Sequence, residues 1–530
     1  MKKITFILLA ICFSFSVYGQ RTYTDYGAID VQNYEFYITV NDDNNNIQAE
    51  TKFTLISKEA IDSFKLDLEN IDENNKGMVV NSITESGDPI KFEHQNNTLT
   101  VYSKSNVGEQ KTYTIKYQGV PKDGLVISKN KYGERTFFGD NWPNRAHQWL
   151  PTVDHPSDKA IVEWHVIAPA HYQVIGNGTQ IEETDLENQN TLYVWKTDVP
   201  IPTKVMVIGI ARFAVQHIGE TNNIPISSWV YPQNKEAGFY DYAIAKDIIN
   251  FFIENVGPYP YSKLANVQSK TRFGGMENAS NIFYFENSVS GERKIENLFA
   301  HEIAHQWFGN SASENDWTHI WLSEGFATYF TNLYVEKMKD RTAFLELVNG
   351  QREAVIKFSK QQLTPVLDSK TESLMGLLNT NSYQKGAWVL HMLRKKVGDF
   401  AFWDSIRAYY EKYALKNASS NDLKTVFEEV TNQELDAFFM QWLEKPGHPI
   451  LQTSWKSNNQ LLTFNIDQTQ KTDVVFSFPI ELKLIFEDDT SEIITLTVKD
   501  KKSSVKLDVK SNVKDVVIDP NSWLLFEQKN

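Results

Sequence analysis

Apolar and polar positions alternate from residue 34 to 40 (YEFYITV), the period of a strand with one buried face. A polar run follows at 41–46, and 47–55 (IQAETKFTL) alternates again, so the two segments predict a β-hairpin. The Asp/Asn run between them lacks the spaced ligands and acidic closer of a calcium loop, and reads as a turn. Strand-like alternation continues to about residue 219.

From about 220 the period changes. Residues 236–256 read as a long helical stretch stopped by Gly257-Pro258. A strand-like piece at 264–269 leads to Gly274-Gly275-Met276-Glu277-Asn278, and helical segments then run to Trp442-Leu443. One of them is opened by the N-cap cluster Ser420-Asn421-Asp422. The Pro/Gly-rich run 445–449 punctuates the chain, after which 461–466 and 480–486 alternate as strands. The expected fold is multidomain α+β. A leader at 1–19 precedes a β domain at 20–219, a mixed and helical domain at 220–444 and a small β domain at 445–530. At 530 residues the chain is too long for one core, which agrees with three units.

The leader is predicted from Met1-Lys2-Lys3 followed by an apolar run from Ile4 to Val17, too short to span a bilayer comfortably. Cleavage after Gly19 would yield an exported protein, periplasmic or secreted, with no later transmembrane stretch. The sole cysteine, Cys12, lies in that run. Its context, Leu9-Ala10-Ile11-Cys12, departs from a lipoprotein box at the bulky Ile11, so the mature chain has neither disulfides nor thiolate ligands. Losing Lys2 and Lys3 and no acid moves the net charge from −14 to −16. That balance argues against nucleic acid or an anionic membrane as the main partner.

The candidate chemistry sits at His301-Glu302-Ile303-Ala304-His305, with Glu324 nineteen residues beyond the second histidine. Two histidines four apart on a helix point the same way and can share one metal ion. Glu324 follows at a distance that allows a turn and a second helix. The competing interpretation is a solvated, charged helix face. Against it, Phe299, Ala300, Ile303, Trp307 and Phe308 embed both imidazoles in an apolar segment, where unsatisfied rings would be costly. Two imidazoles and one carboxylate suit a single zinc ion with an open position, whose bound water Glu302 would deprotonate. Gly309 falls where the helix is expected to end. His319, between the ligands, is the one other histidine close enough in sequence to support them.

HEIAHQWFGN from His301 and WLSEGFATYF from Trp321 resemble the gluzincin aminopeptidases, the family of aminopeptidase N and leukotriene hydrolase. Gly274-Gly275-Met276-Glu277-Asn278 resembles the family's second motif, and Tyr383-Gln384-Lys385-Gly386-Ala387 with Val389-Leu390 its third. The middle of the chain carries the resemblance; Asp30-Val31-Gln32-Asn33-Tyr34 and Asp519-Pro520 extend it more weakly to the flanks. It implies a β-sandwich-like first domain, a thermolysin-like catalytic domain and a small C-terminal β-sandwich. It also implies that Glu277 binds the free α-ammonium of a peptide, with Gly274, Gly275, Met276 and Asn278 along the substrate. Tyr383 would donate to the oxyanion, and Glu302 would act as general base.

Two departures stand out. The family's first-domain glutamine, which helps hold the amine, has no counterpart in 138–143 (FGDNWP), so Asp140, or Asn141, is expected to take its place. The helical fourth domain of larger relatives is not expected here, which would leave the cleft more open. The expected partner is a peptide with a free N-terminal amine. A zinc endopeptidase and an inactive zinc-binding module are the alternatives: the GGMEN segment speaks against the first, the retention of Glu302 and Tyr383 against the second. Side-chain preference and oligomeric state have no signature in the sequence.

Overall fold

The computed structural model describes residues 26–529; the predicted leader, its cleavage point at Gly19 and Cys12 lie outside the described residues. The chain is a mixed α+β protein, with a β-rich N-terminal region, a helical middle and β structure again at the end. The predicted first hairpin is formed by strands Ile29–Thr39 and Ile47–Ser57, antiparallel with Tyr34 opposite Phe53. Its alternation is expressed directly: Tyr34, Phe36 and Ile38 are buried, with partly exposed residues between them. These strands lie within a nine-stranded sheet, and Ile29–Thr39 pairs in parallel with Lys159–Pro169 on its other side.

The strand Ala214–Thr221 pairs with Ile224–Val230, so the expected boundary at 219/220 falls inside a hairpin. That hairpin continues into a five-stranded sheet through Leu264–Gln268 and Asn281–Tyr284, and ends on the two-residue edge strand Gly275–Met276. The long helical stretch predicted at 236–256 is two consecutive helices, Lys235–Tyr242 and Ala245–Asn255. The predicted N-cap cluster works one residue earlier than expected. Ser419 caps helix Ser420–Thr431, and its side chain and that of Asp422 form a reciprocal capping box. After 445 the chain forms a four-stranded and a three-stranded sheet. Among the described residues no helix is long and apolar enough to cross a membrane.

The β-rich N-terminal region is tied to the helical middle by buried polar contacts. Lys204 Nζ lies 2.5 Å from Glu314 Oε1, with both side chains out of water. Lys159 donates to the carbonyls of Ser311 and Lys416 at 2.6 and 2.8 Å. Asn177 donates to Ala279 O at 2.7 Å, just past the edge strand. At the other end Lys395 pairs with Glu481.

Candidate metal centre and substrate cleft

Helix Glu296–Ala304 buries Phe299, Ala300 and Ile303 and turns His301 toward helix Trp321–Met338, whose first turn carries Glu324. The helix ends at Ala304, with His305 as its C-cap, earlier than Gly309 suggested. Gly309 instead holds a positive φ of 111° in the following turn, where a Cβ would meet Ser323 Oγ at 2.1 Å. The chain can therefore reverse close to the second helix only with glycine there.

Three donor atoms converge. His301 Nε2 and His305 Nε2 are 3.2 Å apart, and Glu324 Oε2 lies 3.4 and 3.3 Å from them. Tetrahedral bonds of about 2.0–2.1 Å put ligand atoms about 3.3 Å apart, so the spacing fits one zinc ion. Glu324 Oε2 is buried and accepts no hydrogen bond from the protein, an orphan that a cation would satisfy. The far nitrogen of His305, Nδ1, is 3.0 Å from Ser323 Oγ and 3.2 Å from Phe308 O, which fixes the ring.

The electrostatics point the same way. Burial alone disfavours charge on His305, but Glu324, Glu277 and Glu302 outweigh it and push its pKa up to about 9. Burial would raise Glu324, yet the two imidazoles hold it well below the usual carboxylate range. Glu302 is pushed well above that range by burial, with Glu277 and Glu324 adding to the shift against the pull of His305. A second donor group, Glu277, Glu302 and His305, overlaps the first. Three carboxylates gathered out of water are a setting that calls for positive charge.

A cavity of about 360 Å³ opens onto these groups. Gly274, Gly275, Met276 and Glu277 form one wall, Tyr383 another, and Trp142 and Leu378 complete it. A Cβ on Gly275 would stand 2.3 Å from Glu302 Oε1, so the Glu302 carboxylate lies directly against the edge strand. Glu277 Oε1 is buried without a hydrogen-bond partner. Its backbone carbonyl, by contrast, accepts from Gln306 Nε2 at 2.8 Å and Asn310 Nδ2 at 2.6 Å. Those two side chains, inside the HEIAHQWFGN segment, set the position of Glu277. Their role was missed in the sequence; the only signal was their place one and five residues after His305.

Tyr383 lies in a π-helical turn, Asn381–Lys385, just before helix Gly386–Val397. Its ring stacks on His301 with centroids 6.0 Å apart. Burial, then Glu324 and Glu277, raise its pKa well above 10, so the hydroxyl keeps its proton. Asn278 does not line the cavity: it is fully buried behind the edge strand. His319 bonds Ser420 Oγ at 2.9 Å, which also accepts from Trp321 Nε1, so it braces the start of the second helix rather than a metal ligand.

The expectation for Asp140 and Asn141 is corrected by their contacts. Asp140 is fully buried, ion-paired with Arg145, and accepts from the backbone N–H of Arg272 at 3.4 Å. Asn141 donates to Met206 O at 2.5 Å and accepts from Trp149 Nε1 at 2.8 Å. Both residues are committed to the scaffold, and neither lines the cavity. From this loop only Trp142 reaches the cleft.

A histidine from the last turn of one helix, the histidine that caps it and a glutamate from the next helix make a candidate set of metal donors in a mixed α+β chain. The sequence model of the Peptidase family M1 domain matches residues 240–442, and that of the Peptidase M1 N-terminal domain matches 31–205. The chain belongs to the peptidase M1 family. It is 25% identical over 380 residues to a human glutamyl aminopeptidase, covering 67% of this chain and 39% of the relative. A probable aminopeptidase 1 of Sulfurisphaera tokodaii is 23% identical over 510 residues, with 91% and 62% covered. A leucyl aminopeptidase of Saccharolobus solfataricus is 27% identical over 371 residues, with 67% and 46% covered. The chain thus spans about two-fifths of the glutamyl aminopeptidases it matches.

Proposed function

We propose that this protein is a zinc-dependent aminopeptidase that removes N-terminal residues from peptides. The observation that carries the reading is Glu277 Oε1, a buried acceptor without a partner, set in the same cavity as His301, His305 and Glu324. A buried carboxylate of this kind suits a substrate ammonium. The relatives, all named aminopeptidases, support the same class of reaction.

His301, His305 and Glu324 would hold one zinc ion, which when bound supplies Lewis acidity to the attacking water and the scissile carbonyl. The chain's own residues do the rest. Glu277 holds the α-ammonium and so admits only free N-termini. Gly274 to Met276 offer an open strand edge to the peptide backbone. Glu302, against Gly275, takes a proton from the attacking water and returns it to the leaving amine. The protonated Tyr383 hydroxyl donates to the developing oxyanion.

In the same reading the middle of the chain is thermolysin-like and the two flanking β regions are sandwich-like. The first break lies ahead of Ala214, so that its hairpin stays with the catalytic sheet, and the second at 444/445. Residues 1–19 direct export, to the periplasm or beyond. The test is a pair of substrates, leucyl anilide and its N-acetyl derivative, assayed with zinc and with chelator. Zinc-dependent turnover of the free amine alone is expected. Equal turnover of the acetylated substrate would make the protein an endopeptidase, and no turnover of either would leave a binding module.

A further inference from the structure

The order of groups along the edge strand gives a bound peptide a direction. With the amine at Glu277 and the general base against Gly275, the residues beyond the scissile bond must run past Gly274 and Phe273 toward Arg272. The strand Gly275–Met276 is paired only on the side of Asn281–Tyr284, so its outer edge is free to guide them. At that end a second cavity of about 570 Å³ opens, sharing Phe273 and Gly274 with the cleft. Its wall carries Lys270 and Arg272, with Ser128 and Phe285 nearby.

We propose that this second cavity receives the part of the substrate beyond the scissile bond, and that Lys270 and Arg272 select a carboxylate there. The proposal rests on the aminopeptidase reading. Both cations are accessible: the side chain of Arg272 is 55% exposed and that of Lys270 37%. Each also has an internal partner that holds it in place, Asp123 at 2.7 Å for Arg272 and Glu286 at 2.6 Å for Lys270. Lys131 reaches the carbonyl of the same Glu286. Arg145 is shared between Asp140 and Asp123. The wall of the second cavity itself sets two cations, Lys270 and Arg272, against one carboxylate, Glu286. The surplus is positive in a chain whose net charge is −14, which makes this end of the cleft a local attractor for an anion.

Position sets which carboxylate can arrive. Residues 272–274 bend ahead of the strand, so Arg272 stands at most about 10 Å from Gly275, and the charge belongs within the first three residues after the bond that is cut, the second being the one tested below. Two sources satisfy that chemistry: the C-terminal carboxylate of a short peptide, or an acidic side chain in a longer one.

Two substrate pairs distinguish them, assayed with the full-length enzyme. The first is Leu-Gly-Gly against its C-terminal amide. The second is Leu-Gly-Asp-Gly-amide against Leu-Gly-Asn-Gly-amide. At low salt one pair at least should favour the carboxylate by about three- to tenfold in kcat/KM, the sum of two partly exposed charge contacts, and the preference should shrink in 0.5 M salt. The pair that shows it names the source. In the Lys270→Gln/Arg272→Gln double variant the ratio should fall to about one. Because the readout is a ratio, a general loss of activity in the variant cancels. Wild-type ratios of one or less in both pairs, or a preference that survives the double substitution, would overturn the proposal. Turnover of leucyl anilide, which carries no residue beyond the scissile bond, reports separately on the aminopeptidase reading.

Discussion

Lys204→Met isolates the buried link between the N-terminal β region and the metal-binding segment. Lys204 Nζ is 2.5 Å from Glu314 Oε1, with side chains 1% and 0% exposed, and Glu314 Oε2 has no other hydrogen bond. Burial already raises the Glu314 carboxyl above its ordinary value, opposed chiefly by Lys204. Without the ammonium, the carboxyl in the folded protein is driven to protonate. Neutralising at pH 7 a group whose unfolded pKa is about 4.3 costs about 3.7 kcal/mol. That agrees with the range of about 3–5 kcal/mol for breaking a buried pair. The sign with pH follows from the raised folded pKa. The folded state then binds a proton that the unfolded state has released, so the penalty grows from about pH 4 upward and shrinks on acidification. At pH 5.5 it should be about 2 kcal/mol smaller than at pH 7. Urea unfolding followed by tryptophan fluorescence, variant against wild type at both pH values, measures the two differences; Trp317 lies 5.8 Å from Lys204 Nζ. Lys204→Met/Glu314→Leu should recover most of the loss, because neither member of the pair is left without the other and buried Lys159, which feels both, loses one repulsion with one attraction. A penalty below about 1 kcal/mol, or one that does not change between the two pH values, would refute this account.

Glu302→Gln should lower kcat by about 10²–10⁴-fold while metal analysis still finds one zinc per chain, since the ligand triad is untouched. Full activity in that variant would remove Glu302 as the base. Tyr383→Phe should lower kcat by about 10²–10³-fold with little change in KM, because the hydroxyl acts on charge that develops only in the transition state; a KM effect alone would assign it to ground-state binding. Asp140→Asn should destabilise the protein by about 1–3 kcal/mol, because it neutralises the nearer of the two carboxylates, Asp140 and Asp123, that hold buried Arg145. If it instead raised KM for leucyl anilide without a loss of stability, Asp140 would be an amine ligand after all.

Much of the site was legible because its geometry is local. The spacing of His301 and His305 needs only a helix to bring both rings to one side, and Glu324 needs only the next helix to follow closely. The first hairpin was equally plain, since one face of Ile29–Thr39 is buried and the pattern states it. Tyr383 had no such local logic and came from resemblance alone. Gln306 and Asn310 were quoted in a motif without a role, because the carbonyl they hold lies 29 and 33 residues away. Asp140 was misread for a related reason. An acid in a loop looks available until its neighbour is placed, and Arg145, five residues on, takes its charge. The break expected at 219/220 falls inside the strand Ala214–Thr221, because alternation reports a strand but not which sheet it joins.

The cleft belongs to two regions of the chain at once, and this changes what the N-terminal β region is for. On the proposed reading the metal ligands, Glu302 and Glu277 all come from the helical middle, so that region would hold every group the chemistry needs. The strand that presents the peptide, however, is only two residues long and is paired on one side. Two residues of pairing cannot hold a loop to the tolerance catalysis requires. The N-terminal region supplies the rest. Asp140 accepts from the backbone of Arg272 just ahead of the strand, and Asn177 holds Ala279 just after it. Trp142 closes the cleft, while Lys204 and Lys159 fasten the segment from Asn310 to Glu314 that clamps the Glu277 carbonyl. On that reading the β-rich region is the rigid half of the substrate site. Loosening it should blur where the amine and scissile carbonyl sit relative to Glu302 even with the metal ligands intact.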